Sequence, residues 1–270
     1  IVDFAGTAEA VPGNVNAVPA IVESAVAYCL RCIALALLAV DLPMNEGVFQ
    51  PVEIHIPAGS LLDPQPPHAV AAGNVETSQR IVDVVFGALA KALPDLIPAA
   101  SQGTMNNLTF GGLHNGQPFA YYETIGGGAG AGPSAAGGDG MHVHMSNTLN
   151  TPIEALEYNF PLMIKEYRLR RHSGGKGQYA GGEGLIRQIH FLAPATATIT
   201  SERRKRGPYG LYGGQPGQPG LNRIIVDNQE TVLAGKCSVE LKPGAILSIA
   251  TPGGGGWGNE EKNSPTIKND

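Results

Sequence analysis

Charge is scarce in this 270-residue chain: Asp, Glu, Lys and Arg make up 15% of it, against 43% apolar residues. That leaves much apolar surface to bury, either in a large core or against another subunit. Positive charge is scarcer still. The net charge of −5 excludes nucleic acid as a general partner. Cysteine occurs three times, an odd number with no secretory signal beside it, so a disulfide framework is excluded and reduced thiols in a cytoplasmic setting are expected. A phosphate loop is missing too. The tract from Gly126 to Gly132 has Ala, Pro or Ser where GxGxxG needs its last Gly, and Gly175-Lys176 and Gly235-Lys236 are followed by Gly177 and Cys237 where a phosphate loop needs Ser or Thr. There is no GxSxG elbow and no fixed-period repeat. The chain opens at Ile1 without n-region, h-region or cleavage site, and reads as a piece of a longer polypeptide.

Glycine is abundant, 37 residues, and with 21 prolines makes about a fifth of the chain. This is below the level that signals disorder and indicates many turns. The expected class is therefore α+β and β-rich, with two main helices and a predominantly β C-terminal half of sandwich or barrel type. The first helix, about 18–40, opens at Pro19 and is apolar almost throughout. It is nearly long enough to span a membrane, but Glu23 and Arg31 interrupt it and no second span follows, so a buried helix and no membrane are expected. Cys29-Leu-Arg-Cys32 lies inside it and reads as core packing. The second helix, about 74–92, is amphipathic. Residues 49–57 alternate like a strand, and 101–112 read as an amide-rich loop. Strands are expected over 165–171, 184–192, 196–201, 222–226, 239–241 and 245–250, separated by Gly-rich turns. The expected organisation is a mixed core region at 1–160, a β-rich region at 161–258 and a flexible tail at 259–270.

The polar chemistry concentrates between Tyr121 and Phe160. A strand-like segment, Phe119 to Thr124, runs into a Gly/Ala tract, and Asp139, His142, His144, Ser146, Asn147, Thr148 and Asn150 follow. Glu154 and Glu157 come next, on a short helix entered at Thr151-Pro152. In an extended chain His142 and His144 share a face, roughly 6.6 Å apart along it. Both rings could then reach one metal or one substrate, with Asp139 supplying an oxygen or orienting a ring nitrogen. Two His and one Asp suit zinc, manganese or iron; hydrogen-bonded structural histidines are the alternative. Glu123 and Glu157 are candidate general bases, since a buried carboxyl among Tyr121, Tyr122 and Ile125 would titrate nearer neutrality, and a paired structural carboxylate is the equal alternative. Asn147, or backbone N–H groups between Gly126 and Gly132, could donate to an oxyanion. Gly127 and Gly128 offer close backbone approach to a substrate. Asn106 and Asn107 could contact it too, or satisfy turns. The run Glu202-Arg-Arg-Lys-Arg206 reads as a solvated turn or a patch facing an acidic partner.

Several segments are shared with a known family: GNVETSQRIVDVVFGALA (73–90), ASQGTMNN (100–107), PFAYYETIGGGAGAGP (118–133), HVHMSNTLNTPIEALE (142–157), SGGKGQYAGGEGLIRQI (173–189), SERRKRGPYGLYGG (201–214) and TPGGGGWG (251–258). In this order, and across essentially the whole chain, they resemble the hydantoinase B/oxoprolinase family. The resemblance implies opening of a five-membered cyclic amide (hydantoin, N-methylhydantoin or 5-oxoproline) together with a hydantoinase A-type subunit. That partner would use ATP and Mg to activate the ring carbonyl, within a hetero-oligomer. Carboxylation of acetone or acetophenone is the family's other chemistry, and a non-catalytic scaffold role is a third reading. Family chains are longer and carry their metal motif in an N-terminal half that has no counterpart here. A divalent metal (Zn, Mn or Fe) is thus expected mainly outside this chain, and its ligands are not carried over.

Overall fold

The computed structural model describes residues 1–43 and 45–260. The chain divides into two compact units, Ile1–Leu96 and Ile97–Asp270.

The first unit is built on two helices. Helix α1 (Pro19–Leu38) starts on a proline, whose fixed φ suits a first helical turn, and ends at Ala39 in the left-handed region (φ 51). Its N-terminal half packs inward through Val22, Ala25, Val26 and Cys29. The other half does not: Leu35, Leu37 and Leu38 are exposed, so the fully buried helix expected from composition is only half realised. By length and composition alone α1 could cross a membrane. Helix α2 (Ser78–Leu89) is entered through a turn of π-helix, Gly73–Thr77, and packs on α1 with Tyr28 and Phe86 edge to face at 6.3 Å. Burial pushes the Cys29 thiol up, with Cys32 and Asp83 adding to the effect. It is held as an unreactive thiol. Strands β1 (Val2–Asp3) and β2 (Ile54–His55) form a short parallel pair. The rest of the 49–57 strand expected from alternation is not strand: a 3-10 turn at Glu46–Phe49 runs into its start, and residues 50 and 51 continue as a turn.

The second unit is a sandwich of two antiparallel sheets. The first has the order β10-β7-β3-β4, with β3 (Asn107–His114), β4 (Gln117–Glu123), β7 (Ala195–Thr200) and β10 (Lys236–Leu241). The second has the order β5-β6-β11-β8-β9, with β5 (Leu162–Arg170), β6 (Gly184–Phe191), β8 (Leu221–Val226), β9 (Gln229–Leu233) and β11 (Ile246–Ala250). Period-2 alternation drives the packing. In β7, Ala195, Ala197 and Ile199 point in while Thr196 and Thr198 point out. Inward residues of both sheets form one core, in which Phe110 of β3 meets Phe191 of β6 edge to face at 5.3 Å. Helix α3 (Ile153–Asn159) adds Leu156 to that core. Tight hairpins join β3 to β4 through Asn115-Gly116 and β8 to β9 through Asp227-Asn228, all four residues at positive φ, as the favoured two-residue turns require.

The α+β, β-rich class holds. The regions 1–160 and 161–258 interleave, since β3 and β4 share a sheet with β7 and β10. Two strands arise where none was expected, β3 in the 101–112 stretch and β9. The tail expected over 259–270 lies, from residue 261, outside the described residues.

At one end of the sandwich the glycine tracts pack on each other as a bundle. The tract 253–258 shows its logic. N–H groups of residues 253 and 256 donate to Gln218 and Gln215, those of 254 and 257 to Gly182 and Tyr179, and those of 255 and 258 to Ala100 and Leu211. The 215–218 and 179–182 segments are thus each met every third residue, and the N–H groups between them turn to Ala100 and Leu211. A strand, with period 2, cannot do this; extended backbone with three residues per turn can. Such dense packing leaves no room for side chains. A Cβ on Gly254 would run into the backbone of Ala129 and Gly130, and one on Gly255 into that of Tyr209 and Gly210.

Candidate active site at the seam of sandwich and glycine bundle

Strands β4, β6 and β11 pass directly into glycine tracts: β4 ends at Glu123 before Gly126, β6 starts at Gly184 after Gly181-Gly182, and β11 ends at Ala250 before Gly253. The polar residues of the 121–150 stretch gather at this seam.

Glu123 is buried and paired with Arg187, which is fully buried on β6. Arg187 Nε donates to Oε1 at 2.6 Å and Nη2 to Oε2 at 3.0 Å. Oε2 also accepts from Tyr121 Oη at 3.2 Å and Asn150 Nδ2 at 3.0 Å. The Tyr167 ring covers the guanidinium at 4.6 Å, and its hydroxyl donates to Asn150 Oδ1 at 3.0 Å. Burial pushes both tyrosine hydroxyls up, so they serve as neutral donors. Of the two possibilities read from the sequence for Glu123, base or paired carboxylate, the geometry gives the pair. Its oxygens are committed to four donor atoms.

His142 lies beside this pair. Burial pushes its imidazole below the ordinary histidine value, and the nearby Glu123 carboxylate opposes that shift. Both ring nitrogens are buried and have no hydrogen-bond partner among the described residues. His144 is placed differently: its Nε2 is 3.3 Å from Ser101 Oγ, which accepts the N–H of Gly130 at 3.1 Å. Residues 142–144 are not strand, and Met145 turns the chain at φ 56. The shared strand face expected for the two rings is absent because the segment belongs to the bundle, where Met141 pairs with Gly127.

The other candidates are structural in their contacts. Asp139 is exposed and accepts the N–H of Glu183 at 2.8 Å, away from either histidine's contacts. Glu157 accepts the N–H of Ile164 at 2.7 Å. Asn147 is exposed beyond the cluster. Asn106 is buried at φ 49, donates to Gln102 and Ile125, and accepts from Arg204 at 2.9 Å. Asn107 donates to the Thr200 carbonyl and accepts from Tyr122 at 2.6 Å. Gly127 and Gly128 face Gln102 and Pro252, and Gly182 and Gly254, so the space their missing side chains leave is filled by protein. The N–H groups of residues 127–132 all bond within the bundle, which removes them as oxyanion donors. The basic run 202–206 is no patch, since Arg203 is buried and Arg204 is bonded to Asn106 and Asn222.

No group of three His, Cys, Asp or Glu side chains able to hold a metal ion exists among the described residues. The His142, His144 and Asp139 set does not fit one, because the three have separate environments.

Sequence reasoning missed Arg187. Its signal lay in the parity of GLIRQIHF, where Leu185, Ile189 and Phe191 face inward and Arg187 shares their face.

Comparison with known proteins adds to this geometry. The chain is 49% identical over 258 residues to 5-oxoprolinase 1 of Arabidopsis thaliana, covering 95% of this chain and 19% of that protein. In structure it superposes on the ATP-dependent caprolactamase of Pseudomonas jessenii with a TM-score of 0.80 at 26% identity, covering 94% of this chain and 45% of that one. A nucleotide-free acetone carboxylase shares the fold with a TM-score of 0.81 at 17% identity over 95% of this chain and 39% of that chain. The chain thus spans a fifth to under a half of these proteins' lengths. The family model for hydantoinase B/oxoprolinase matches residues 1–260, and the chain belongs to the hydantoinase B/oxoprolinase family.

Proposed function

We propose that this chain serves in an ATP-dependent cyclic-amide hydrolase of 5-oxoprolinase type and that His142 moves the proton in ring opening. The observation that carries the reading is the His142 ring, with both nitrogens buried and unpartnered among the described residues, at the seam beside Glu123. A neutral imidazole can take a proton from the water that attacks the ring carbonyl carbon. As the C–N bond breaks, it can return that proton to the leaving nitrogen. The 49% identity to a 5-oxoprolinase, against 26% to the caprolactamase, favours 5-oxoproline as substrate. ATP and Mg belong in this proposal to a hydantoinase A-type partner in a cytoplasmic hetero-oligomer. A divalent metal, if used, is held mainly outside this chain, and no step here runs through it.

The test is turnover by the complete ATP-dependent complex offered 5-oxoproline, hydantoin, or acetone with bicarbonate. The expected result is opening of 5-oxoproline, with His142→Ala lowering kcat by about 10²–10⁴-fold, the range for a lost general acid–base. Carboxylation of acetone, or full activity in His142→Ala, overturns the proposal.

A further inference from the structure

The burial and the bonding of Arg187 do not match. Its side chain is wholly buried, and Nε and Nη2 are used by Glu123. Nη1 is equally buried but has no hydrogen-bond partner among the described residues. A guanidinium has five N–H donors in a fixed fork, and leaving donors unmet inside a protein costs free energy. The group is nonetheless held firmly: the bidentate pair, the Tyr167 ring at 4.6 Å and the Tyr121 and Asn150 bonds to Glu123 allow it no other orientation. The neighbouring His142 nitrogens are likewise buried and unpartnered. Two side chains of the same cluster therefore present polar atoms that the described protein does not satisfy. Arg187 and the His142 ring nitrogens have no exposed surface themselves, while at the edge of the cluster Tyr167 is 39% exposed and Leu149, next to Asn150, is 95% exposed.

Charge selects the ligand. Glu123 already neutralises the guanidinium, and burial favours the uncharged His142 ring. A carboxylate or phosphate placed on Nη1 would be a buried charge without a counter-charge, which is unfavourable, so the carboxylate that 5-oxoproline carries must lie away from this guanidinium. A neutral acceptor oxygen meets Nη1 without that penalty, and its bond strengthens if negative charge develops on the oxygen during reaction.

We infer that Arg187 is a substrate-contacting residue, its Nη1 donating to the ring carbonyl oxygen of the cyclic amide while Nε and Nη2 fix the guanidinium on Glu123. This rests on the cyclic-amide reading of the same site. Arg187 then faces the carbonyl oxygen, and His142 faces the water and the ring nitrogen. No bond forms or breaks at Arg187, which keeps its proton throughout.

The experiment uses the complete complex with two variants. Arg187→Lys keeps a positive charge opposite Glu123 but loses the fork. Glu123→Gln/Arg187→Met removes both charges, so that no buried carboxylate is stranded. Folding is checked by melting and circular dichroism. Two readouts are taken: kcat and KM for 5-oxoproline with ATP, and calorimetric binding of 5-oxoproline, hydantoin and caprolactam without ATP. Arg187→Lys is expected to lower kcat about a hundredfold, as for loss of an oxyanion donor. It is also expected to weaken amide binding about tenfold, as for a lost hydrogen bond to a charged donor. The double variant should show the same losses. Turnover and binding unchanged in either folded variant overturn the inference and leave the cyclic-amide reading standing. If the complex opens none of the three amides but binds one in an Arg187-dependent way, that reading fails and the contact stands. If none is opened and none bound, both are overturned.

Discussion

The sandwich and the glycine bundle share one compact unit and are held together by opposite means. The sandwich is filled by side chains, with Phe110, Phe191, Ile189 and Leu247 closing the gap between sheets. The bundle has almost no side chains inside it, and its contacts are backbone N–H and C=O groups bonded in three directions. One is sensitive to atoms removed, the other to atoms added. The comparison teaches why the polar cluster lies where it does. At the seam the sheets cannot close with apolar side chains and the bundle cannot supply any, so Glu123, Arg187 and His142 occupy the space.

Alanine at Gly254 should have the largest effect. Its Cβ would meet the backbone of Ala129 and Gly130, which cannot move aside singly, and a loss of about 3 kcal/mol or more is expected, up to failure to fold. Denaturant unfolding of Gly254→Ala against wild type measures it; a stable Gly254→Ala protein would break the distinction between the two regions.

Truncation in the sandwich should follow. Phe110→Ala leaves a cavity between the sheets and should cost about 3–5 kcal/mol, read from the same unfolding curves. A cost below about 1 kcal/mol would mean that the core is not the aromatic cluster described.

The seam should respond to pH. Burial holds the His142 pKa below its ordinary 6.5, so the unfolded chain binds the proton more tightly than the folded one. Stability is then full above 6.5 and falls as the pH drops below it, through the folded value. Each unit of pKa difference corresponds to about 1.4 kcal/mol. Melting between pH 7 and 5 should show the fall, and His142→Phe should flatten it. An equal slope in both proteins would place the titrating group elsewhere.

The smallest effect is expected at Gly132, at the edge of the bundle. A Cβ there meets nothing within 4 Å, so Gly132→Ala should leave stability within about 0.5 kcal/mol of wild type. Contrasted with Gly254→Ala, it separates dense packing from mere glycine content.

Much of the sandwich was legible in the sequence. Strands such as β6 and β7 announce themselves by alternation, α1 by a long apolar run with a proline start, and α2 by apolar periodicity. Strand β3 did not, because Gly111 and Gly112 interrupt its pattern where Phe119 and Pro194 backbone oxygens approach closely. Strand β9 is an exposed edge of mostly polar residues with no buried face to betray it. The bundle was read as loops, since its order lies between tracts rather than within one: residues 253–258 bond to segments near 100, 180 and 215. The site was half legible. His142 and Glu123 stood out by type, whereas Arg187 sits 64 residues from Glu123 and is marked only by strand parity.

The most direct test of the seam as the reaction site is to follow the His142 ring by nitrogen NMR in the complete protein while 5-oxoproline is added. The His142 ring signals should shift in a saturable way, and those of His55, which is exposed and paired with Glu53, should stay fixed. Saturable binding of 5-oxoproline that leaves the His142 ring signals unmoved would contradict the placement.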